Sequence, residues 1–135
     1  MADNENTYEN DANKSGEDYL EAILVIEMER GKVRSVDISR QLSVSRPSVN
    51  RAVNVLVSKG YLEHETYGNV ILTKTGRAYA EKIYGRHTAL TRFLHEVLGV
   101  SDKTSRKDAC LIEHDVSVET MDRIRDKLKE FDAEN

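Results

Sequence analysis

Apolar positions recur every three or four residues along EDYLEAILVIEMERG, where Tyr19, Leu20, Ile23, Leu24, Ile26 and Glu27 follow a helical period. This predicts a first helix that stops at Gly31. SVDISRQL predicts a second, of about two turns, with Ser35 as its N-cap. SVSRP opens a third, with Ser45 as cap and Pro47 near the first turn, where its missing N–H costs least. Within RPSVNRAVNVLVSKG, Val49, Ala52, Val53, Leu56 and Val57 form the apolar stripe, and Gly60 closes the helix. The other face carries Arg46, Ser48, Asn50, Arg51 and Asn54. YLEHETYGNVILTKTG then reads as two short strands around the turn Tyr67-Gly68-Asn69.

The remainder predicts helices alone. TGRAYAEKIYGRHTALTRFLHEVLGV is one long helical stretch ending at Gly99, and SDKTS is a polar break. SRKDACLIEHDV and SVETMDRIRDKLKEF give two more helices, the last with Ser117 as N-cap and a stripe of Met121, Ile124, Leu128 and Phe131. Phe93, Leu94, Val97, Leu98, Leu111, Ile112, Met121 and Ile124 offer more apolar surface than a lone helical arm can hide, so a second copy is expected to cover part of it.

A short helix, a tight turn and a helix exposing Ser, Asn and Arg form a helix-turn-helix, whose second helix enters the major groove of DNA. The hairpin after it is a wing, with Lys74 and Arg77 placed to hold phosphates. The expected fold is mainly α: an acidic disordered tail over 1–15, a winged helix-turn-helix over 16–76, and an α-helical dimerisation domain over 77–135, which also holds the candidate metal ligands given below. Charge agrees with it. The net charge is −4, but from Lys32 to Lys59 six positive residues stand against one negative, Asp37. Such a basic face on an acidic protein is a candidate phosphate-binding surface. With 39% hydrophobic and 33% charged residues the composition is that of a soluble, helix-rich protein. No apolar run reaches the roughly 18 residues of a membrane span, and the polar N-terminus MADNENTYENDANKSG has no signal-peptide layout, so a cytoplasmic location is expected. One cysteine excludes an internal disulfide and leaves a thiol for metal or redox chemistry.

That cysteine, Cys110, precedes Glu113 and His114 by three and four residues. Offsets of three and four share a helix face at about 5–6 Å between Cβ atoms, so one ion could touch all three. An ordinary core face has the same spacing, and the stretch alone does not decide. Asp18 and Glu21 share a face of the first helix, and His87 and His95 lie about 12 Å apart along the long one, too far to bind one ion together. Mixed O, N and S donors suit a divalent first-row metal.

The chain resembles the diphtheria-toxin-repressor family of metal-dependent transcriptional repressors, which includes manganese transport regulators. EDYLEAI resembles the family's first-helix motif, VSRPSVNRAVNVLVSKGYL its recognition helix, LTKTGRAYAEKIYGRH its wing and linker, and CLIEH its ligand helix, in order over about residues 16–131. The resemblance implies Asp18, Glu21, His87, Cys110, Glu113 and His114 as metal ligands; His95 matches none. Asp18 is typical of the manganese branch and Cys110 of the iron branch, so the ligand set is a hybrid. Thr91 stands where the family often has a second-site glutamate, and Arg106 where the iron branch has a histidine. The sequence ends at Asn135, which implies the two-domain layout of the manganese regulators, without an SH3-like third domain.

The resulting expectation is a cytoplasmic homodimer that represses genes of iron or manganese homeostasis. Fe²⁺ is favoured with Mn²⁺ close behind, and Zn²⁺ or Co²⁺ are occupants in vitro. Metal would set two recognition helices about one DNA turn apart on a palindromic operator. Arg46, Ser48, Asn50 and Arg51 are the expected base-facing residues, joined by Ser45 and Pro47 through the resemblance, while Arg34, Arg40, Lys59 and Lys74 hold phosphates. Three alternatives remain: a winged-helix regulator switched by oxidation of Cys110, a metal-dependent hydrolase, and a purely structural dimerisation module. No oriented nucleophile–base pair supports the hydrolase.

Overall fold

The computed structural model of the chain describes residues 15–65 and 68–135. The expected disordered tail therefore lies outside the described residues except at Ser15, and so does Tyr67 of the expected turn. The elements are α1 Gly16–Arg30, α2 Ser35–Leu42, α3 Arg46–Ser58, β1 Leu62–His64, β2 Val70–Leu72, α4 Lys74–Arg92, a π-helical turn Phe93–Val97, α5 Asp102–Ile112 and α6 Val118–Glu134. Two compact units divide between Glu81 and Lys82, inside α4.

In the first unit Ser15 caps α1: its Oγ accepts from Asp18 N–H at 3.3 Å, and Asp18 Oδ2 accepts from Ser15 N–H at 2.9 Å. This reciprocal pairing satisfies two otherwise orphaned donors. Gly31 ends the helix at φ 83°, as its position predicts. The cap of α2 is Arg34, not Ser35. Arg34 is extended, bridged to Asn69 just before β2 of the wing, and its N–H donates to Asp37 Oδ2 at 3.1 Å, so Ser35 is already the first helical residue.

Ser45 caps α3 as expected, accepting from Ser48 N–H at 3.2 Å, with Pro47 in the first turn. At the far end Tyr61 N–H donates to Leu56 O at 2.9 Å and Gly60 N–H to Val57 O at 3.0 Å. With Gly60 at φ 84° this is the Schellman closure a glycine permits. The buried stripe of α3 is narrower than predicted: Val49, Val53 and Leu56 are buried, whereas Val57 is exposed.

The wing is a two-stranded antiparallel sheet pairing Leu62 with Leu72 and His64 with Val70. Leu62, Val70 and Leu72 turn inward to join Leu20, Ile23, Ile38, Val49 and Val53 in one core, and Val70 N–H donates to Val33 O at 2.8 Å. Arg77, predicted to hold phosphate, instead grips Glu27 of α1 with both terminal nitrogens, at 2.6 and 2.9 Å. Glu27 is half-buried on α1 where it meets this partner.

In the second unit Ala89, Leu90, Ala109, Met121 and Leu128 form the core, with Phe93, Val116 and Ile124 against it. The single long helix ending at Gly99 is not observed. After Arg92 the winding loosens into the π turn, closed by Leu98 N–H donating to Phe93 O at 3.1 Å. Across five residues a sequence period cannot separate the two windings. SDKTS is likewise not a break: Ser101 accepts from Thr104 N–H at 3.3 Å and starts α5 there. Ser117 caps α6 as predicted, accepting from Thr120 N–H at 3.1 Å.

Candidate metal centre and DNA-reading face

His87 sits on α4 and Cys110 in the last turn of α5, while Glu113 is the C-cap of α5, where the backbone is still helical at φ −57°. That geometry carries the offset of three past the helix end and turns Glu113 inward. The His87 Nδ1 atom lies 3.7 Å from Cys110 Sγ and 3.5 Å from Glu113 Oε2, and ligand atoms of all three fall within 4.8 Å of one another. His114, on the turn that follows, places Nε2 3.9 Å from Glu113 Oε1.

Burial separates the roles. Cys110 is exposed, whereas Glu113 is 1% exposed and neither carboxylate oxygen has a hydrogen-bond partner. Its nearest cationic groups are the His87 and His114 rings at 3.5 and 3.9 Å, longer than hydrogen bonds, and a bound cation between these side chains would satisfy the carboxylate more closely. The donors present, one imidazole nitrogen, one sulfur and a carboxylate, therefore fit a divalent transition ion. Arg86 donates from Nη1 to the Glu113 carbonyl at 3.3 Å, which satisfies an end carbonyl of α5 and links the ligand-bearing stretches of α4 and α5. Its place beside His87 was visible in the sequence, but its partner, a carbonyl 27 residues away, was not.

The Cys110 thiol first and the Glu113 carboxylate second hold the His87 imidazolium, pushing its pKa from 6.5 to about 10 against the opposing effect of burial. Coordination through this ring requires the proton to leave, so metal affinity should rise with pH. In the metal-free protein the sign is the reverse. The folded state keeps a proton that the unfolded state has lost, so the His87 contribution is full below about 6.5 and disappears as pH approaches about 10. Denaturant melts of the metal-free wild type across this window should lose more stability than those of His87→Gln. Parallel pH profiles would contradict the assignment.

Of the two remaining candidate ligands, Asp18 has its Oδ2 engaged in the α1 cap, and Glu21 is half-buried one turn further along. His95 turns away, with Nδ1 2.7 Å from Val100 O at the π turn. Thr91 carries a buried Oγ1 without a partner. Arg106 pairs with Asp102 at 3.0 Å.

On the first unit, Arg46, Pro47, Asn50 and Arg51 are exposed on α3, as are Arg34, Arg40, Lys59 and Lys74 around it. Asn54 shares the α3 face, one turn beyond Asn50 and Arg51. Ser45 is half-buried by its capping role. Ser48 is a correction: it is 6% exposed, because it lies only about 100° of helical turn from fully buried Val49. Its hydroxyl accepts from Ser45 Oγ at 2.9 Å and from Arg51 Nη2 at 3.0 Å.

Residues 12–70 match the sequence model of the iron-dependent repressor N-terminal DNA-binding domain, and residues 73–134 that of the iron-dependent repressor metal-binding and dimerisation domain. The chain belongs to the iron-dependent repressor family. It is 38% identical over 117 residues to the HTH-type transcriptional regulator MntR of Geobacillus kaustophilus, covering 87% of this chain and 82% of that protein. An uncharacterised HTH-type regulator of Methanocaldococcus jannaschii is 31% identical over 119 residues, 87% of this chain and 95% of that one. Among solved structures, T. acidophilum IdeR superposes with a TM-score of 0.79 at 28% identity, covering 86% of this chain and 55% of its own. A manganese-dependent transcriptional repressor in complex with manganese gives 0.79 at 30% identity, covering 85% and 53%. The chain thus spans about half the length of these two solved structures. As an iron-dependent repressor family member it is a metal-dependent, DNA-binding transcriptional repressor and not an enzyme. Among the described residues no helix is long and apolar enough to cross a membrane.

Proposed function

We propose that this repressor is a cytoplasmic homodimer that binds a palindromic operator when a divalent ion occupies its second unit, and that it controls iron or manganese homeostasis. The observation that carries this reading is Glu113, whose buried carboxylate lacks hydrogen-bond partners and faces His87. We assign His87, Cys110, Glu113 and His114 as ligands; Asp18 and Glu21 join them on the family resemblance alone. Once bound, the ion supplies positive charge that holds these side chains in one arrangement. Arg46, Pro47, Asn50 and Arg51 meet base edges, and Arg34, Arg40, Lys59 and Lys74 meet phosphates. Ser45 contributes mainly as the cap that orients this helix.

Exposed Leu98, Leu111 and Val118, at 57%, 68% and 64%, support burial against a second copy. Met121 does not take part, being 1% exposed within its own core. Sedimentation of the metal-loaded chain with and without Leu111→Glu checks the dimer: the substitution should shift it towards monomer.

The ion is the open choice between branches. A cysteine thiolate favours Fe²⁺, Co²⁺ and Zn²⁺ over Mn²⁺, so we assign Fe²⁺, with Mn²⁺ the runner-up that supply in the cell can promote. The test is anaerobic titration of DNA binding with Fe²⁺ and with Mn²⁺, for wild type and Cys110→Glu. Wild type should respond to Fe²⁺ at the lower concentration, and Cys110→Glu should move the preference towards Mn²⁺. An unchanged order of potency would remove Cys110 from the selectivity of the site.

A further inference from the structure

The Ser48 side chain is buried, and its hydroxyl is bonded on one side to the helix cap and on the other to an exposed cation. Ser45 Oγ accepts from Ser48 N–H at 3.2 Å and donates to Ser48 Oγ at 2.9 Å, and Arg51 Nη2 donates to the same Ser48 Oγ at 3.0 Å. At 6% exposure, Ser48 keeps water from competing for these bonds. The result is an arginine whose head is tethered while the residue remains exposed.

A guanidinium has five donor hydrogens in a rigid fork. One hydrogen of Nη2 is engaged with Ser48, which leaves a pair of parallel N–H groups along another edge. The acceptor pair that matches such an edge in a major groove is O6 and N7 of guanine. A tether that fixes the fork before binding lowers the ordering cost of a long, flexible side chain. Resting on the DNA-binding reading above, we propose that Arg51 reads a guanine in each operator half-site, and that Ser48 is its positioning residue rather than a DNA contact. Asn50 and Asn54 are exposed on the same face.

The competing role for Arg51 is a phosphate contact. Phosphate contacts weaken all sequences alike when lost and lower the salt slope by about 0.9 per contact. Base contacts change one position only.

The experiment uses the full chain loaded with Fe²⁺ or Mn²⁺. Wild type selects its preferred duplex from a randomised pool. That duplex and its single-base variants are then competed against wild type, Arg51→Ala, Arg51→Lys and Ser48→Ala. Wild type should enrich one invariant guanine per half-site and discriminate against its replacement by roughly 5- to 150-fold. Arg51→Ala should erase that preference and retain the others, and Arg51→Lys should keep only a fraction of it. Ser48→Ala should lower it severalfold while binding an unrelated duplex as wild type does.

An even loss on every duplex with a reduced salt slope in Arg51→Ala overturns the guanine assignment. Full discrimination in Ser48→Ala overturns the tether. Enrichment of duplexes without such a guanine overturns this inference alone, whereas a wild type that enriches nothing overturns it together with the repressor reading. Because Arg51 is exposed, its two variants keep the inference testable even if Ser48→Ala folds poorly.

Discussion

Glu113→Gln should yield a protein that is less stable than wild type without metal and gains far less from adding it. The substitution keeps the shape of a side chain that is 1% exposed and removes its charge. In the metal-free state two effects oppose. The ion pair with His87 at 3.5 Å is lost, and so is the burden of a buried carboxylate whose oxygens lack hydrogen bonds. Removing one partner of a buried ion pair is destabilising in general, so the metal-free variant should melt below wild type, and below pH 6.5 most of all, where His87 is charged in both states.

With metal the balance is one-sided. Loss of an outer partner of a metal ligand already costs roughly 10- to 100-fold in affinity, and loss of a ligand should exceed the upper figure. At a metal concentration a hundred times the wild-type Kd, binding stabilises wild type by about 2.7 kcal/mol and a variant bound 100-fold more weakly by about 0.4 kcal/mol. Thermal melts with and without metal read this difference directly. An undiminished metal-induced rise in Tm would mean that Glu113 is not a ligand.

Gly76→Ala should destabilise the first unit by about 3 kcal/mol, the upper end of what overpacking costs and a large share of the roughly 5–15 kcal/mol that holds a domain together. Exchanging glycine for alanine inside a helix ordinarily stabilises by about 0.4–1 kcal/mol. Here a Cβ would overlap Tyr61 O and stand 2.8 Å from Tyr61 C, both backbone atoms. Tyr61 cannot yield cheaply. Its N–H closes α3 on Leu56 O, its carbonyl accepts from Thr73 N–H at 3.1 Å, and its ring meets Tyr79 edge-on with centroids 5.3 Å apart. Thr73 in turn accepts from Gly76 N–H at 3.0 Å to start α4, so the wing and helix are locked at one point. Gly85, on the same helix with nothing within 4 Å of its added Cβ, supplies the control. Urea melts should show Gly85→Ala at or slightly above wild type and Gly76→Ala far below it. Equal midpoints for the two variants would contradict the packing described.

The contrast between these glycines marks what a linear pattern can convey. Ser45, Pro47 and Gly60 announced α3 because capping, the first-turn proline and the positive-φ closure are local rules carried by single residues. Spacing alone likewise brought Cys110 and Glu113 together. Partners distant in sequence were not legible. The sequence around Arg77 suggests a phosphate ligand, whereas its partner Glu27 lies 50 residues earlier. A serine beside a stripe of valines reads as exposed, whereas the hydroxyl of Ser48 is held by Ser45 and Arg51. The π turn escaped for another reason, since Arg92 and Glu96, bonded at 2.9 Å, sit four apart as in any α-helix.

The family assignment gives these particulars their meaning. A metal site in the second unit and a reading helix in the first are useful together only if occupancy of one changes the affinity of the other, a coupling commonly worth about 5- to 150-fold. The direct measurement is fluorescence anisotropy of a labelled duplex, selected by the metal-loaded chain from a randomised pool, titrated with the full chain in chelator and again with anaerobic Fe²⁺ or Mn²⁺. The account predicts that affinity rises by at least about 5-fold with metal and that Glu113→Gln shows no rise. Equal affinity of wild type in chelator and in metal would contradict it.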